Sequence, residues 1–385
     1  MRIAIVGGGP AGLYFSILMK RRRPSWEITG VERDAPGDTF GWGIVFSDRT
    51  FAYLRESDEP THDRISSQCA IWDNVDIVHR GQKISIGGNR FSGIARVDFL
   101  RSLQERAAEL GVTLRFRTAI ADLAELPPSD LLVGADGANS LVRRTYAPHF
   151  QPSVDLRPNK YIWLGTDRVF DGLTLTFRQA GAGLFMAHSY RFNPTTSTFI
   201  VECPAATWQA AGFERMSDAD TCAYLERVFA DDLGGHRLLT NDFVRWLNFP
   251  LVKNRRWYHD KVVLLGDALH TAHFSIGSGT KLALEDAIAL AAAFDQDERV
   301  GEALPAFEAA RRPVVERLQE AAHESLLWFE HAADYLHLDP IEFAYHAMTR
   351  SKRIDLDRLR RRDPAFVAAY EAVRGQGPPA AGGAA

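Results

Sequence analysis

Apolar and polar positions along the chain change period several times, and the changes divide it into elements. A short apolar run, Arg2 to Val6, reads as a strand and breaks at Gly7-Gly8-Gly9-Pro10-Ala11-Gly12, after which an apolar helical stretch runs toward Lys20. A second strand is predicted over Trp26 to Val31 and ends at Glu32. Val75 to His79 and Lys83 to Ile86 predict a hairpin around Arg80-Gly81-Gln82. From Val97 to Leu110, the residues Phe99, Leu100, Leu103, Ala107 and Leu110 fall on one side of a helix. Thr113 to Phe116 and Asp130 to Ala135 read as strands, the latter ending in Asp136-Gly137. Between Tyr161 and about Val201 the alternation is again that of strands, with Leu173 to Phe177, Gly183 to His188 and Thr198 to Val201 as separate runs. Lys261 to Leu265 is another β-type run; it stops at Gly266-Asp267, and a helix from Lys281 to Phe294 follows Gly277-x-Gly279. Residues 302 to 372 are almost wholly helical in pattern, broken near Pro340 and Pro364, and no internal repeat is visible.

This order predicts an α/β fold in which a Rossmann-like nucleotide-binding domain is interrupted by an antiparallel-sheet domain and followed by helices. The nucleotide-binding part takes residues 1–74, 96–150 and 258–300. The second domain takes the hairpin 75–95 and residues 151–257, with C-terminal helices over 301–374. Residues 375–385 are Gly, Pro, Ala and one Gln, which cannot bury enough apolar surface to order themselves, so a disordered tail is expected.

Composition narrows the class. At 385 residues, 46% hydrophobic and 24% charged, the chain can bury a large core in two lobes. A net charge of -4 leaves no basic excess to neutralise nucleic-acid phosphates, which argues against nucleic acid as a partner. Cys69, Cys203 and Cys222 are too few and too scattered for a disulfide framework or a zinc site, which suggests a reducing compartment. No apolar run is long enough to span a bilayer, so no membrane role and a cytoplasmic location are expected. Lys20-Arg21-Arg22-Arg23 reads as a basic helix end complementing the dipole.

The glycine spacing carries chemistry. Gly7, Gly9 and Gly12 fit Gly-x-Gly-x-x-Gly, with Pro10 and Ala11 inside it: a tight turn, a close approach for a pyrophosphate, and close helix–strand packing. The helix that follows presents free N–H groups to phosphate. Glu32, 20 residues after Gly12 and followed by Arg33, stands where a carboxylate meets a ribose hydroxyl. Gly266-Asp267, with Gly277, Gly279 and Thr280 at the next helix, forms a second cradle for a phosphate- or sugar-bearing cofactor. His270-x-x-His273 lacks a third ligand, and no metal site is expected.

Taken together, the glycine motif with Glu32, the Asp136-Gly137 motif and Gly266-Asp267 resemble those of the single-component flavoprotein aromatic hydroxylases. The resemblance covers roughly residues 1 to 372 and implies FAD, its ADP half on Gly7, Gly9, Gly12 and Glu32, and its ribityl and pyrophosphate on Asp267. It places Arg96 near the phosphate side of the flavin. Gly41-Trp-Gly-Ile-Val-Phe-Ser-Asp48, Asn159-Lys-Tyr-Ile-Trp163, His270 to Lys281 and Ser351-Lys-Arg353 are similar to the flavin domain of salicylyl-CoA 5-hydroxylases and anthraniloyl-CoA monooxygenases. The tryptophan hydroxylase of violacein biosynthesis looks alike at two of these stretches. Two departures stand out. Phe274-Ser275 lies where many aromatic hydroxylases carry a proline, and the fused acyl-CoA members continue into an old-yellow-enzyme-like domain, whereas this sequence ends at Ala385.

The resemblance implies an FAD-dependent monooxygenase that takes NADH or NADPH and O2 and hydroxylates an aromatic acyl-CoA through a C4a-hydroperoxyflavin, with salicylyl-CoA to gentisyl-CoA as the leading reaction. Anthraniloyl-CoA or a free aromatic such as tryptophan stands as the alternative. A non-hydroxylating flavin oxidoreductase or a flavin-bound assembly subunit is the second. On this reading Gly43 belongs to a flexible loop, and Ile44, Val45 and Phe46 cover the flavin ring and exclude water. Three histidines are candidates for proton handling: His273 first, then His270 and His188, each also readable as structural. Phe46, Tyr161, Trp163, Phe185, Tyr190, Phe274 and Ser275 are candidates for the substrate pocket, although aromatics on a sheet also serve simply as core. Arg255-Arg256, or Arg350 with Lys352 and Arg353, are available cations for CoA phosphates. A monomer or homodimer is expected.

Overall fold

A computed structural model describes residues 1–241 and 244–375; of the expected tail only Gly375 is among the described residues. The chain forms two units, each built from three stretches of sequence. The first comprises Met1–Ala70, Ser92–Pro158 and Asn248–Ala322.

A sheet lies at the heart of the first unit, in the order Tyr258–His259, Val262–Leu264, Leu131–Gly134, Arg2–Val6, Glu27–Val31, Thr113–Arg115. Its pairs are parallel except for the first, which is a hairpin. A parallel sheet is covered on both faces, so its strands read as continuous apolar runs: Ile3, Ala4, Ile5 and Val6 are all buried. The helix Pro10–Arg22 begins with proline in its first turn and is buried from Ala11 to Met19, apolar all round because it lies inside the unit. It packs against the helix Gly279–Gln296, with Phe15 and Trp26 meeting Phe294 at 6.5 and 5.8 Å between ring centroids. The basic run at its end does more than complement the dipole. Arg21 sits 3.0 Å from the buried Asp58, Arg22 2.6 Å from Asp295, and Arg23 2.5 Å from Glu298.

Gly41, at φ +85°, and Trp42 lie in a connection, and from Gly43 a strand over Gly43–Ser47 begins, followed by two short helices, Asp48–Ser57 and Glu59–Ser66. Asp58 separates the helices and caps the second, accepting from the Thr61 N–H at 3.2 Å.

The second unit comprises Ile71–Phe91, Asn159–Leu247 and the segment from His323. The strand Gly183–Arg191 lies between Leu173–Ala180 and Ser197–Cys203, antiparallel to both, and the far side of Ser197–Cys203 pairs with residues 160–166 of the long strand Pro152–Thr166. The predicted hairpin joins this sheet, Val75–His79 parallel to Leu173–Ala180 and antiparallel to Gln82–Ile86. Register separates the two faces. Tyr161 and Trp163 stand opposite Glu202 and Ile200, which stand opposite Met186 and His188, and these face Phe177 and Leu175. The alternate residues, Ile162, Leu164, Phe185, Ala187, Phe199 and Val201, form a separate core with Phe213, Leu225 and Phe229.

At the C-terminal end the helical pattern breaks at Pro340 and Pro364 as expected, each proline opening a new helix, Pro340–Thr349 and Pro364–Gly375. Asp339 and Asp363 cap them, accepting from the N–H of Ile341 at 3.0 Å and of Phe366 at 2.9 Å. Among the described residues no helix is long and apolar enough to cross a membrane.

Candidate active site

The first glycine loop is set by contacts that leave no room for a side chain. Gly7 has φ +106°, its N–H donates to the Val31 carbonyl at 2.9 Å, and a Cβ there would lie 2.3 Å from the Ala135 carbonyl oxygen. Gly9 is the opposite case. Nothing lies within 4 Å of where its Cβ would stand, so glycine here keeps a surface open rather than relieving a clash. It precedes the helix at Pro10, and no side chain caps that end. Uncapped first-turn N–H groups beside an open backbone can receive a phosphate. Glu32 is partly committed to the loop: its carboxylate accepts from the N–H of Gly8 at 2.6 Å and of Asp34 at 3.0 Å. A cleft beside it is lined by Gly8, Glu32, Arg115 and Phe116. Arg33 points to solvent, 3.4 Å from Asp34.

The second cradle docks directly on the first. Gly266, at φ +59°, would place a Cβ 3.0 Å from that of Ala11. Asp267 is exposed by surface area yet ringed by protein, the signature of a concave position. That enclosure pushes its carboxyl above the usual range, while Arg96 and His270 pull it down. Arg96 opens the helix Arg96–Glu109 and is oriented by Thr39, to which its Nε donates at 2.8 Å. The residues expected at the phosphate side, Arg96 and Asp267, are therefore brought together.

Beneath this turn lies a buried ionic network. Asp286 accepts from the Gly266 N–H at 3.2 Å and from Arg311 Nε at 2.8 Å; Arg311 also sits 2.8 Å from Glu285, and His270 Nε2 lies 2.9 Å from Asp286. Burial pushes the Asp286 carboxyl up, but His270 and Arg311 outweigh it and hold it below the ordinary range. His270 thus belongs to the framework under the turn and not to a reacting surface. The loop beyond is tied down from three directions. Arg143 donates to the Ala268 carbonyl at 2.9 Å, Asn254 to that of Leu269 at 2.5 Å, and Gln319 to that of Thr271 at 2.9 Å. Sequence reasoning missed these, because nothing in a lone Arg, Asn or Gln marks a partner more than 10 residues away.

His273 is buried; its Nδ1 is 2.8 Å from the Ser275 hydroxyl, and its ring packs with Phe249 and Phe274. Gly277, at φ +60°, turns the chain beside Val45, and Gly279 and Thr280 begin the helix Gly279–Gln296, whose N-terminus also has no side-chain cap. Ile44 is buried in the core of this unit. Asp136 is held within the chain. Its carboxylate is taken by the Ser140 hydroxyl at 2.5 Å and the N–H groups of Leu141 at 2.6 Å and Val142 at 3.2 Å, so it caps a helix next to Gly137.

Two of the expected pocket residues are core. Phe46 is 1% exposed and packs between Phe51 and Phe99, while Phe185 is fully buried on Phe213 and Tyr224, on the sheet face opposite Tyr161 and Trp163. Strand parity decides this: Phe185 is an odd number of residues from Met186 and His188. Tyr161, Trp163, His188 and Tyr190 do share a face, with Tyr190 stacked on Trp72 at 6.1 Å. Glu202 joins them unforeseen, and Arg350, expected as a cation for CoA phosphates, is enclosed. Glu202, 1% exposed, lies 3.3 Å from His188 Nε2 and accepts from the Asn159 amide at 2.8 Å. In the C-terminal part Arg350 donates to the Ser325 hydroxyl at 2.9 Å and lies over Phe329, and its enclosure lowers its pKa to about 10. Lys352 pairs with Glu324 at 2.9 Å. Among the described residues no group of His, Cys, Asp and Glu could hold a metal ion.

Known proteins are similar to this chain in sequence and in fold. The family model described as FAD binding domain matches residues 128–322. The chain is 43% identical over 378 residues to a salicyloyl-CoA 5-hydroxylase of Streptomyces, covering 95% of this chain and 72% of that protein. It is 39% identical to a 3-hydroxy-4-methyl-anthranilyl-[aryl-carrier protein] 5-monooxygenase of Streptosporangium sibiricum, covering 87% and 90%. In fold it is similar to the tetrameric form of 2-methyl-3-hydroxypyridine-5-carboxylic acid oxygenase, with a TM-score of 0.71 at 20% identity, covering 94% of this chain and 97% of that one. The chain belongs to the FAD-dependent aromatic monooxygenases.

Proposed function

We propose that this enzyme hydroxylates the ring of an aromatic acyl thioester, converting salicyloyl-CoA to gentisyl-CoA at carbon 5 with FAD, NADH or NADPH, and O2. The identity of 43% to a salicyloyl-CoA 5-hydroxylase across 95% of the chain carries the choice of substrate. Once reduced by the nicotinamide, bound flavin supplies an electrophilic oxygen atom derived from O2.

The chain's own residues fit that cofactor. The open backbone at Gly9 and the uncapped helix end at Pro10, Ala11 and Gly12 receive the pyrophosphate. Glu32, held by Gly8, meets the adenosine ribose, with Arg33 at the rim. Asp267, open to solvent, takes the ribityl hydroxyls, and Arg96 balances the phosphates beside it. The helix beginning at Gly279 and Thr280 aims its N-terminus where negative charge collects on a reduced pyrimidine edge. Val45 lies close against Gly277 on the strand that starts at Gly43 and carries the buried Ile44, a segment suited to excluding water, and Asp136 with Gly137 holds the middle of the site by capping. The His273–Ser275 pair and Phe274 fix the loop over which the ring and substrate meet.

The test is to purify the protein, measure bound FAD, and follow NADH oxidation and product mass with salicyloyl-CoA, anthraniloyl-CoA, free salicylate and tryptophan. Salicyloyl-CoA is expected to accelerate NADH oxidation and to gain one oxygen. If another of the four does both and salicyloyl-CoA neither, the substrate assignment is wrong.

A further inference from the structure

We propose that Lys253, Arg255 and Arg256 bind the phosphates of CoA, an inference that rests on an aryl-CoA thioester as substrate. The observation is an uncompensated run of positive charge in the first unit, at the end of the strand Leu247–Asn254. All three residues are exposed, and none pairs with a carboxylate among the described residues. Other basic runs stand among acids. Arg21, Arg22 and Arg23 each face one, and Arg358 to Arg362 lies between Asp355, Asp357, Asp363 and Glu371 in sequence, with Arg360 paired to two of them. From Val244 to His259 the sequence holds no Asp or Glu. Glu308 and Glu316, on the helix Val300–Glu330, are taken by Arg312, whose guanidinium also donates to the Arg255 carbonyl at 2.9 Å. With Arg312 counted, the four cations still outnumber these two acids, so an anion is favoured there.

Distance along the strand selects the anion. The Thr271 N–H donates to the Val252 carbonyl at 3.2 Å and the Val252 N–H to the Thr271 hydroxyl at 2.8 Å, so the strand is fastened to the loop that follows Asp267. Phe249 meets the His273 ring of that loop at 4.9 Å. Val252 and Asn254 are buried, which leaves Phe249, Leu251 and Lys253 on the other face of the strand, the first two half-buried. At about 3.3 Å per residue, Lys253 stands about 13 Å and Arg255 about 20 Å from Phe249. The pantetheine arm of CoA has about 13 bonds from phosphorus to sulfur, or about 15 Å at the spacing of extended peptide, where three bonds span about 3.3–3.6 Å. An arm laid on this face with its thioester at Phe249 therefore brings the pyrophosphate between Lys253 and Arg255, with the 3′-phosphate beyond it.

The donor types suit that ligand. Two guanidinium groups offer paired N–H donors to phosphate oxygens, and the ammonium of Lys253 adds a point charge. Arg255 is steadied by the Gln151 side chain, to which its Nη1 donates at 3.2 Å. The other cations considered for this role are engaged, Arg350 by enclosure over Phe329 and Lys352 by Glu324 at 2.9 Å.

The test measures kcat/KM of FAD-loaded enzyme for salicyloyl-CoA, its 3′-dephospho form and salicyloyl-N-acetylcysteamine, which keeps the thioester and lacks every phosphate. Wild type is expected to prefer the CoA ester to the N-acetylcysteamine ester by about 100-fold, through KM, and to lose much of that preference between about 20 and about 300 mM NaCl. The triple variant Lys253→Gln, Arg255→Gln, Arg256→Gln should lose at least about tenfold of the preference and its dependence on salt. Removing the 3′-phosphate should raise KM for wild type and leave the triple variant's unchanged. Calorimetric titration with CoA alone gives a readout free of turnover, and affinity should fall by about tenfold or more in the variant. Melting temperature and FAD content equal to wild type identify folded protein, and Arg255→Glu serves if the triple variant does not fold. A preference and a CoA affinity equal in wild type and variant overturn the inference, as does an equal loss on both esters. Wild type that turns over none of the thioesters but hydroxylates free salicylate or tryptophan overturns the substrate reading as well, whereas wild type that hydroxylates salicyloyl-CoA with no help from its phosphates overturns the inference alone.

Discussion

Replacing Arg311 with Met tests whether the ionic network under Gly266 holds the cofactor turn in place. The guanidinium is 6% exposed and serves two carboxylates, Asp286 at 2.8 Å and Glu285 at 2.8 Å. Methionine nearly matches its stem volume but leaves those charges with His270 and Lys281, the latter 3.3 Å from Glu285. Removing one partner of a buried ion pair costs about 3–5 kcal/mol. At about 2–4 °C per kcal/mol for a unit of this size, the melting temperature of the FAD-free protein should fall by about 6–20 °C at pH 8. The pH dependence gives the sharper test. In the native protein Asp286 is held below the ordinary carboxylate range, so the stability it contributes is complete above the unfolded value of about 4 and is lost only as pH falls through the lower folded one. Without Arg311 only His270 offsets burial, so the same carboxyl moves up from its native position and is protonated more readily as the pH falls. The deficit should therefore shrink between pH 8 and pH 5. Calorimetry at both values decides, and a deficit under about 3 °C, or one equal at the two pH values, refutes the argument.

Gly9→Ala should leave the melting temperature of the FAD-free protein within about 2 °C, since φ −80° suits any residue and its Cβ would meet open space, yet weaken FAD binding at least tenfold, about 1.4 kcal/mol; unchanged affinity in a fluorescence titration would remove Gly9 from the pyrophosphate path. Gly7→Ala should instead fail at folding, because both its φ and the Ala135 carbonyl oppose a side chain, and a soluble variant with native circular dichroism would contradict that. Phe185→Ala should lose about 3–5 kcal/mol of stability in urea denaturation with KM for the aromatic substrate unchanged, and a tenfold rise in KM would put Phe185 back in the pocket.

Those variants follow the line between what the sequence disclosed and what it did not. The glycine motif, Glu32 and Gly266-Asp267 were legible because each requirement is local: a turn, a missing Cβ and an acid at a fixed distance within one supersecondary unit. Phe46 and Phe185 were misjudged because apolar character says that a residue is inside, while only strand parity and cross-strand register say on which side. The breaks at Pro340 and Pro364 were legible, like the glycine motif, for a local reason, since proline suits a first turn where no N–H is needed. Asp286, Arg311, Arg143 and Glu202 could not be read at all, because each is defined by a partner brought in by the fold.

The two halves of the cofactor cradle are about 250 residues apart in sequence, and the strand Arg2–Val6 pairs on one side with Leu131–Gly134, whose other neighbour is Val262–Leu264. During synthesis the first glycine loop therefore emerges long before the turn that docks on it at Ala11. Closing so long a loop adds little to the free-energy cost but much to the time, since non-local contacts form late. Flavin capture becomes one of the last events in folding rather than a nucleus for it. A chain arrested before Arg311 lacks both that residue and Gln319, the side chains that fix the turn, and so carries the first glycine loop without a settled partner.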